Sequence, residues 1–157
     1  MLTRVTYPWQ HSRVPYDASR PAYRLHSLVA ALDAAADQML VQAHGTGYAR
    51  FLTLVTVQAL ERPTQADLAA ARGTSAPATS RMVQALVDDG LLLAERSPGE
   101  GNRRTLALTS AGERFVTAGG ELLEDAFARL LEAAQVSEPD VLAVTDPLLA
   151  VLDPEMP

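Results

Sequence analysis

The chain has 157 residues, 48% of them hydrophobic, which is enough for one compact domain with a substantial core, alone or with dimerisation arms. It contains no cysteine, which excludes a disulfide framework, a thiolate zinc site, a cysteine nucleophile and a thiol-based oxidant sensor. The net charge of −6 opposes a polyanionic partner on its face, but the acid is unevenly placed: residues 1–63 hold six Arg against four acids, residues 64–104 five against five, and residues 105–157 two against ten.

All 13 basic residues are Arg, a bias associated with GC-rich genomes and silent on function. No apolar stretch approaches the roughly 20 residues of a membrane span, and the opening MLTRVTYPWQHSRVP lacks the apolar run of a secretory signal. A cytoplasmic protein without membrane contact is expected.

Residues 1–20 carry Pro8, Pro15 and three aromatics without a helical period and read as an extended arm. Ser19 or Asp17 caps a predicted helix with Pro21 in its first turn; Leu25, Leu28, Val29, Leu32, Ala36, Met39 and Leu40 follow at three and four spacing to about His44, where Gly45 and Gly47 end it. A second helix is expected from about Tyr48 to Leu60, stopping before Pro63. Thr64 caps a third across TQADLAAARG, with Asp67 three residues on and Gly73 as the stop. A fourth runs from about Ser75 or Ala76 to Asp89, closed by Gly90. Two short helices so tightly joined suggest a helix-turn-helix.

Two β-compatible runs, LLLAER (91–96) and RRTLALT (103–109), flank the Pro/Gly loop SPGEGN and predict a hairpin. A long helix follows from Ser110 through Phe115, Val116, Leu122, Leu123, Ala126, Phe127, Leu130 and Leu131, in which Gly119 and Gly120 mark a bend or a close helix contact. Ser137 caps a last helix with Pro139 in its first turn, expected to be interrupted at Pro147. The fold class is therefore mainly α with a small β-hairpin wing.

On a helical wheel the fourth helix places Met82, Val83 and Leu86 on one side and Pro77, Ser80, Arg81, Gln84 and Asp88 opposite. A small, polar, singly basic face suits the major groove, because Ser, Gln and Arg hydrogen-bond base edges and phosphates where bulky apolar groups obstruct approach. Thr74 and Ser75, at a helix N-terminus with unpaired N–H groups, suit a phosphate. Helix, tight turn, polar-faced helix, hairpin and Arg-bearing loop occur in the winged-helix order within about 45 residues.

Here the sequence resembles the MarR family, over roughly residues 25–152. The matching pieces are QADLAAARGTSAPATSRMVQALVDDGLL (65–92), with Leu68, Arg81, Leu86 and Gly90 at the family's usual Leu, Arg, Leu and Gly, and LALTSAG (106–112) at its strand-to-helix passage. The resemblance implies a bacterial transcriptional regulator, most simply a repressor, working as an obligate homodimer through intertwined first and last helices. Its DNA partner is then a double-stranded pseudo-palindromic operator, with wing arginines at the flanking minor groove. The domains become an N-terminal arm (1–20), a helical dimerisation region (21–47 and 110–157) and a winged helix-turn-helix lobe (48–109). Asn102 stands where the family's wing Arg is expected; either Arg103 or Arg104 substitutes through a shifted hairpin, or the minor-groove contact is weakened.

The resemblance also implies a small aromatic or anionic effector, for which Trp9, His11, Tyr16, Tyr23, His26, Tyr48 and Arg50 are the aromatic and basic candidates; the arm aromatics serve equally as anchors on a partner subunit. The three histidines, His11, His26 and His44, are too widely spaced for a metal site, so no metal or cofactor is expected. No phosphate loop, nucleophile elbow or paired carboxylate on an apolar face points to an enzyme. The competing reading is a winged-helix-derived protein-interaction module without operator binding, motivated by the acidic tail, Asn102 and the charge-neutral lobe.

Overall fold

The computed structural model describes residues 19–96 and 104–152. Among them are α1 (Pro21–His44), α2 (Tyr48–Ala59), α3 (Gln65–Ala71), α4 (Ala76–Asp88), β1 (Leu92–Arg96), β2 (Arg104–Leu108), α5 (Ser110–Ala134) and α6 (Glu138–Leu152). The chain divides after Ala35 into two units, Met1–Ala35 and Ala36–Pro157. The first is described from Ser19 onward and holds the opening turns of α1, where the apolar Leu25, Leu28 and Val29 are all exposed.

The core belongs to the second unit. Leu40 of α1, Phe51, Leu54 and Val57 of α2, Leu68 of α3, Val83 and Leu86 of α4, Leu92 of β1, Leu106 of β2 and Phe115 of α5 form one buried cluster. Each is the inward residue of an amphipathic element, and full burial of such a side chain contributes about 1.5–3 kcal/mol. The rings of Phe51 and Phe115 meet edge to face, centroids 6.0 Å apart. Directly over them Gly119 lets α5 close in: a Cβ there would lie 3.0 Å from two ring carbons of Phe51 and 3.1 Å from Leu40. Of the two roles expected for the glycine pair, Gly119 serves a close helix contact.

Local side chains set the helix starts. Thr64 and Asp67 form a reciprocal capping box on α3, and Ser75 accepts the Ala78 N–H at the start of α4, with Pro77 in the first turn. The start of α2 is capped from a distance, because the Tyr48 N–H donates to Asp37 Oδ1 of α1 at 2.8 Å. A Cβ at Gly47 would sit 2.6 Å from that oxygen, so the residue before α2 must be small for the carboxylate to reach. Thr109 caps α5 by accepting the Gly112 N–H at 3.0 Å, while its own hydroxyl donates to the Gly90 carbonyl at 2.7 Å. Gly73 and Gly90 stop α3 and α4 with φ of +59° and +71°, where a residue with a Cβ is strained.

The strands pair antiparallel with Leu92 opposite Leu108, Ala94 opposite Leu106 and Arg96 opposite Arg104. A third chain segment joins them: the Leu106 N–H donates to the Pro63 carbonyl at 2.8 Å, and Thr64 bridges Thr105. The corner leading into that segment holds Glu61 and Arg62 at φ of +47° and +72°, conformations that cost L residues about 1–2 kcal/mol each. Arg62 forms an ion pair with Glu95 of β1.

The last helix departs from expectation. α6 continues through Pro147 instead of being interrupted there. It buries no residue, so water can solvate the carbonyl that loses its partner to the missing proline N–H. Its start is a Ser137–Asp140 box, and hydrogen bonds from the Ser137 hydroxyl and backbone N–H hold the Asp140 carboxyl below its ordinary value.

Two expected outcomes follow from these contacts. A Cβ on Gly112 would come 2.2 Å from the Leu91 carbonyl oxygen, whereas one on Gly120 meets nothing within 4 Å. Gly112→Ala should therefore destabilise by about 1–3 kcal/mol, and Gly120→Ala should stabilise by about 0.5–1 kcal/mol, in urea unfolding at fixed protein concentration. Equal effects at the two positions would contradict the close approach at Leu91. For Asp140 the folded value lies below the unfolded one, so its contribution is present above the ordinary carboxylate range and is lost as pH falls through the folded value. Ser137→Ala should raise the Asp140 titration back toward that range in an NMR pH series; an unmoved curve would remove Ser137 as the cause.

Candidate nucleic-acid interface

The fourth helix is sharply two-faced. Thr79, Val83 and Leu86 are buried, while Ala76, Pro77, Ser80, Arg81, Gln84 and Asp88 are exposed. Thr79 is the member of the inner face that the wheel did not single out; its hydroxyl, buried among apolar groups, lies 2.8 Å from that of Thr74. Thr74 is thus engaged with the helix it precedes. Ser75 accepts the Ala78 N–H at 3.4 Å, which leaves its hydroxyl hydrogen free to donate outward.

Among the described residues the ion pairs are Arg50 with Asp89 and Arg62 with Glu95. Arg81 and Arg104 have no carboxylate within pairing distance there, and both are exposed. Arg104 stands at the outer end of the ladder, opposite Arg96. Arg103 and Asn102 lie outside the described residues, as does the choice between a shifted hairpin and a weakened contact. On the outer face of α4, Gln84 Nε2 donates to Asp88 Oδ1 at 2.8 Å.

The effector candidates fare unevenly. Trp9, His11 and Tyr16 lie outside the described residues. Tyr23 and His26 are on the exposed opening turns of α1. Tyr48 is half-buried with its ring stacked on Phe51, centroids 6.2 Å apart. Arg50, expected to meet an anionic ligand, already has its counter-ion in Asp89 at the end of α4.

A cation that the sequence reading passed over is better placed. Arg72, the residue that caps the C-terminus of α3, lines a cavity of about 190 Å³ between α2, α3 and α4 together with Thr53, Leu68, Thr79 and Met82. Burial lowers the Arg72 guanidinium pKa, and the nearby Tyr48 opposes the shift. A basic residue beside a stop glycine reads as an ordinary partner of the helix dipole; only the packing of α2 shows that it is half-buried. A second cavity of about 430 Å³ lies between α5 and α6, lined by Phe127, Leu131, Val136 and Val141 with Glu124 and Glu132. No described helix is long and apolar enough to cross a membrane.

Residues 44–104, which span α2, both short helices and the hairpin up to the first residue of β2, match the model of the MarR family. No curated protein sequence matches the chain. Among solved structures, a mutant of E. coli MarR complexed with operator DNA is 18% identical with a TM-score of 0.72, covering 83% of this chain and 92% of its own. The S. aureus MepR–DNA complex is 20% identical with a TM-score of 0.70, over 87% and 97%. RV1404 from Mycobacterium tuberculosis is 24% identical with a TM-score of 0.66, over 83% and 86%. These likenesses show the fold, a winged helix-turn-helix, and the sequence match over residues 44–104 makes that stretch similar to the MarR family.

Proposed function

We propose that the chain is a homodimeric, sequence-specific DNA-binding repressor that inserts α4 into the major groove of a pseudo-palindromic operator. The observation that carries this reading is the outer face of α4. Pro77, Ser80, Arg81 and Gln84 stand exposed on a helix whose inner face is locked into the core, and such a helix fits the major groove of about 12 Å width. Ser75 and Arg81 then supply phosphate and base-edge contacts. Arg104, with Arg103 beside it in sequence, reaches toward the flanking minor groove. Two structurally similar proteins, a mutant of E. coli MarR and S. aureus MepR, have been solved in complex with DNA.

Dimerisation is supported by apolar surface that the single chain leaves open: Leu25, Leu28 and Val29 on α1, and Leu142, Leu148 and Leu149 on α6. A second copy that covers these faces makes the assembly two-fold, and a two-fold protein reads half-sites about one helical turn apart. The acid excess that gives the chain its charge of −6 follows residue 105, outside the helix-turn-helix. For ligand response, the cavity at Arg72 is the better candidate than Arg50, since Arg72 brings to a mostly apolar space a half-buried cation that pairs with no carboxylate among the described residues. A small organic anion seated there would part α2 from the helix-turn-helix and change the separation of the two recognition helices.

The test is recovery of bound genomic fragments at low salt, followed by affinity against salt concentration. Affinity should fall steeply with salt, and Arg81→Ala should weaken binding and flatten the log–log slope by about one to two while the dimer stays intact by sedimentation. A parent protein that selects no sequence would sink the reading in favour of the interaction module without operator binding.

A further inference from the structure

Gln84 sits in the middle of the exposed face of α4, and Asp88 lies one turn further along the same face, about 6 Å toward the helix C-terminus. The Gln84 side-chain nitrogen donates to Asp88 Oδ1 at 2.8 Å. A carboxylate only accepts, so the amide cannot be reversed: its nitrogen is held toward Asp88 and its oxygen away. Asp88 takes one of the two N–H groups. The other, together with the amide oxygen, forms an adjacent donor and acceptor on a side chain already restrained before DNA arrives.

Each base edge in the major groove offers that pair something different. Guanine presents two acceptors, cytosine a single donor, thymine an acceptor beside a methyl group, and adenine an acceptor at N7 beside a donor at N6. Adenine alone satisfies both groups of the amide. We infer that Gln84, positioned by Asp88, reads an adenine in each operator half-site, the amide oxygen accepting from N6 and the remaining N–H donating to N7. Asp88 is a positioning residue that need not touch DNA. This rests on the operator-binding reading above and adds to it the base selected and the reason the side chain is oriented for it.

The test is selection from a pool of randomised duplexes with the full-length chain, followed by base profiles for three variants. The parent should enrich a symmetric pair of A·T base pairs, with adenine favoured about five- to a hundred-fold over other bases at that position. Gln84→Ala should flatten that position and leave the remaining profile recognisable. Asp88→Ala should weaken the same preference, and Asp88→Asn, whose amide oxygen still accepts, should restore it. Replacing that adenine with 7-deazaadenine should lower the affinity of the parent but not of Gln84→Ala, because N7 and Gln84 are the two ends of one contact. A base profile unchanged in Gln84→Ala overturns the inference while operator binding stands. An Asp88→Ala variant that loses thermal stability yet keeps its base profile makes the pair an ordinary helix-surface contact and overturns the positioning role. A parent that enriches nothing overturns the operator reading and this inference with it.

Discussion

Where α4 ends, the hairpin begins and α5 starts, three stretches of backbone are drawn together by Thr109 and Gly112. The Thr109 N–H donates to the Leu91 carbonyl at 3.1 Å, its hydroxyl donates to the Gly90 carbonyl, and the same hydroxyl caps α5 by accepting from Gly112. Gly112 has no side chain because the Leu91 carbonyl occupies the place where a Cβ would stand. One threonine and one glycine thereby fix the exit of α4 to the start of α5, the longest of the described helices. The angle at which α4 leaves the lobe is set there.

Around that junction the helix-turn-helix is stapled at its margins by charge and in its middle by apolar packing. Arg50 of α2 pairs with Asp89 just past α4, and Arg62 pairs with Glu95 on β1. Exposed pairs of this kind contribute little to stability, typically about 0–1 kcal/mol, so the core of Leu54, Leu68, Val83, Leu86 and Leu106 carries the energy. What the pairs do alter is the charge left for a partner. Arg50 and Arg62 are neutralised within the lobe, whereas Arg81 and Arg104 are exposed and pair with no carboxylate among the described residues.

The elements that were legible in sequence are those whose ends are written in local chemistry. Thr64 with Asp67, Ser75 before Pro77, Ser137 with Asp140, and the stop glycines Gly73 and Gly90 lie within a few residues of what they control, and the helix bounds fall at them. The two faces of α4 follow from its period alone. What escaped reading depends on chain brought from afar: Asp37 capping α2 across eleven positions, Asp89 claiming Arg50, Arg72 half-buried against α2, and Pro63 and Thr64 joining the sheet at Leu106 and Thr105. Pro147 misled for a related reason, since a proline's cost in a helix depends on whether water can reach the carbonyl it orphans, and sequence does not show exposure.

The corner at Glu61 and Arg62 leans on the strands. Two successive side-chain-bearing residues in the left-handed region are disfavoured by the local chain, so an isolated α2–α4 segment has no reason to turn that way. The turn becomes favourable once β2 is present, its Leu106 N–H donating to the Pro63 carbonyl and its Thr105 bridging Thr64, and once β1 presents Glu95 to Arg62. The hairpin thus supplies the pairing that holds the corner between α2 and α3, so the corner and the strands support one another within the lobe.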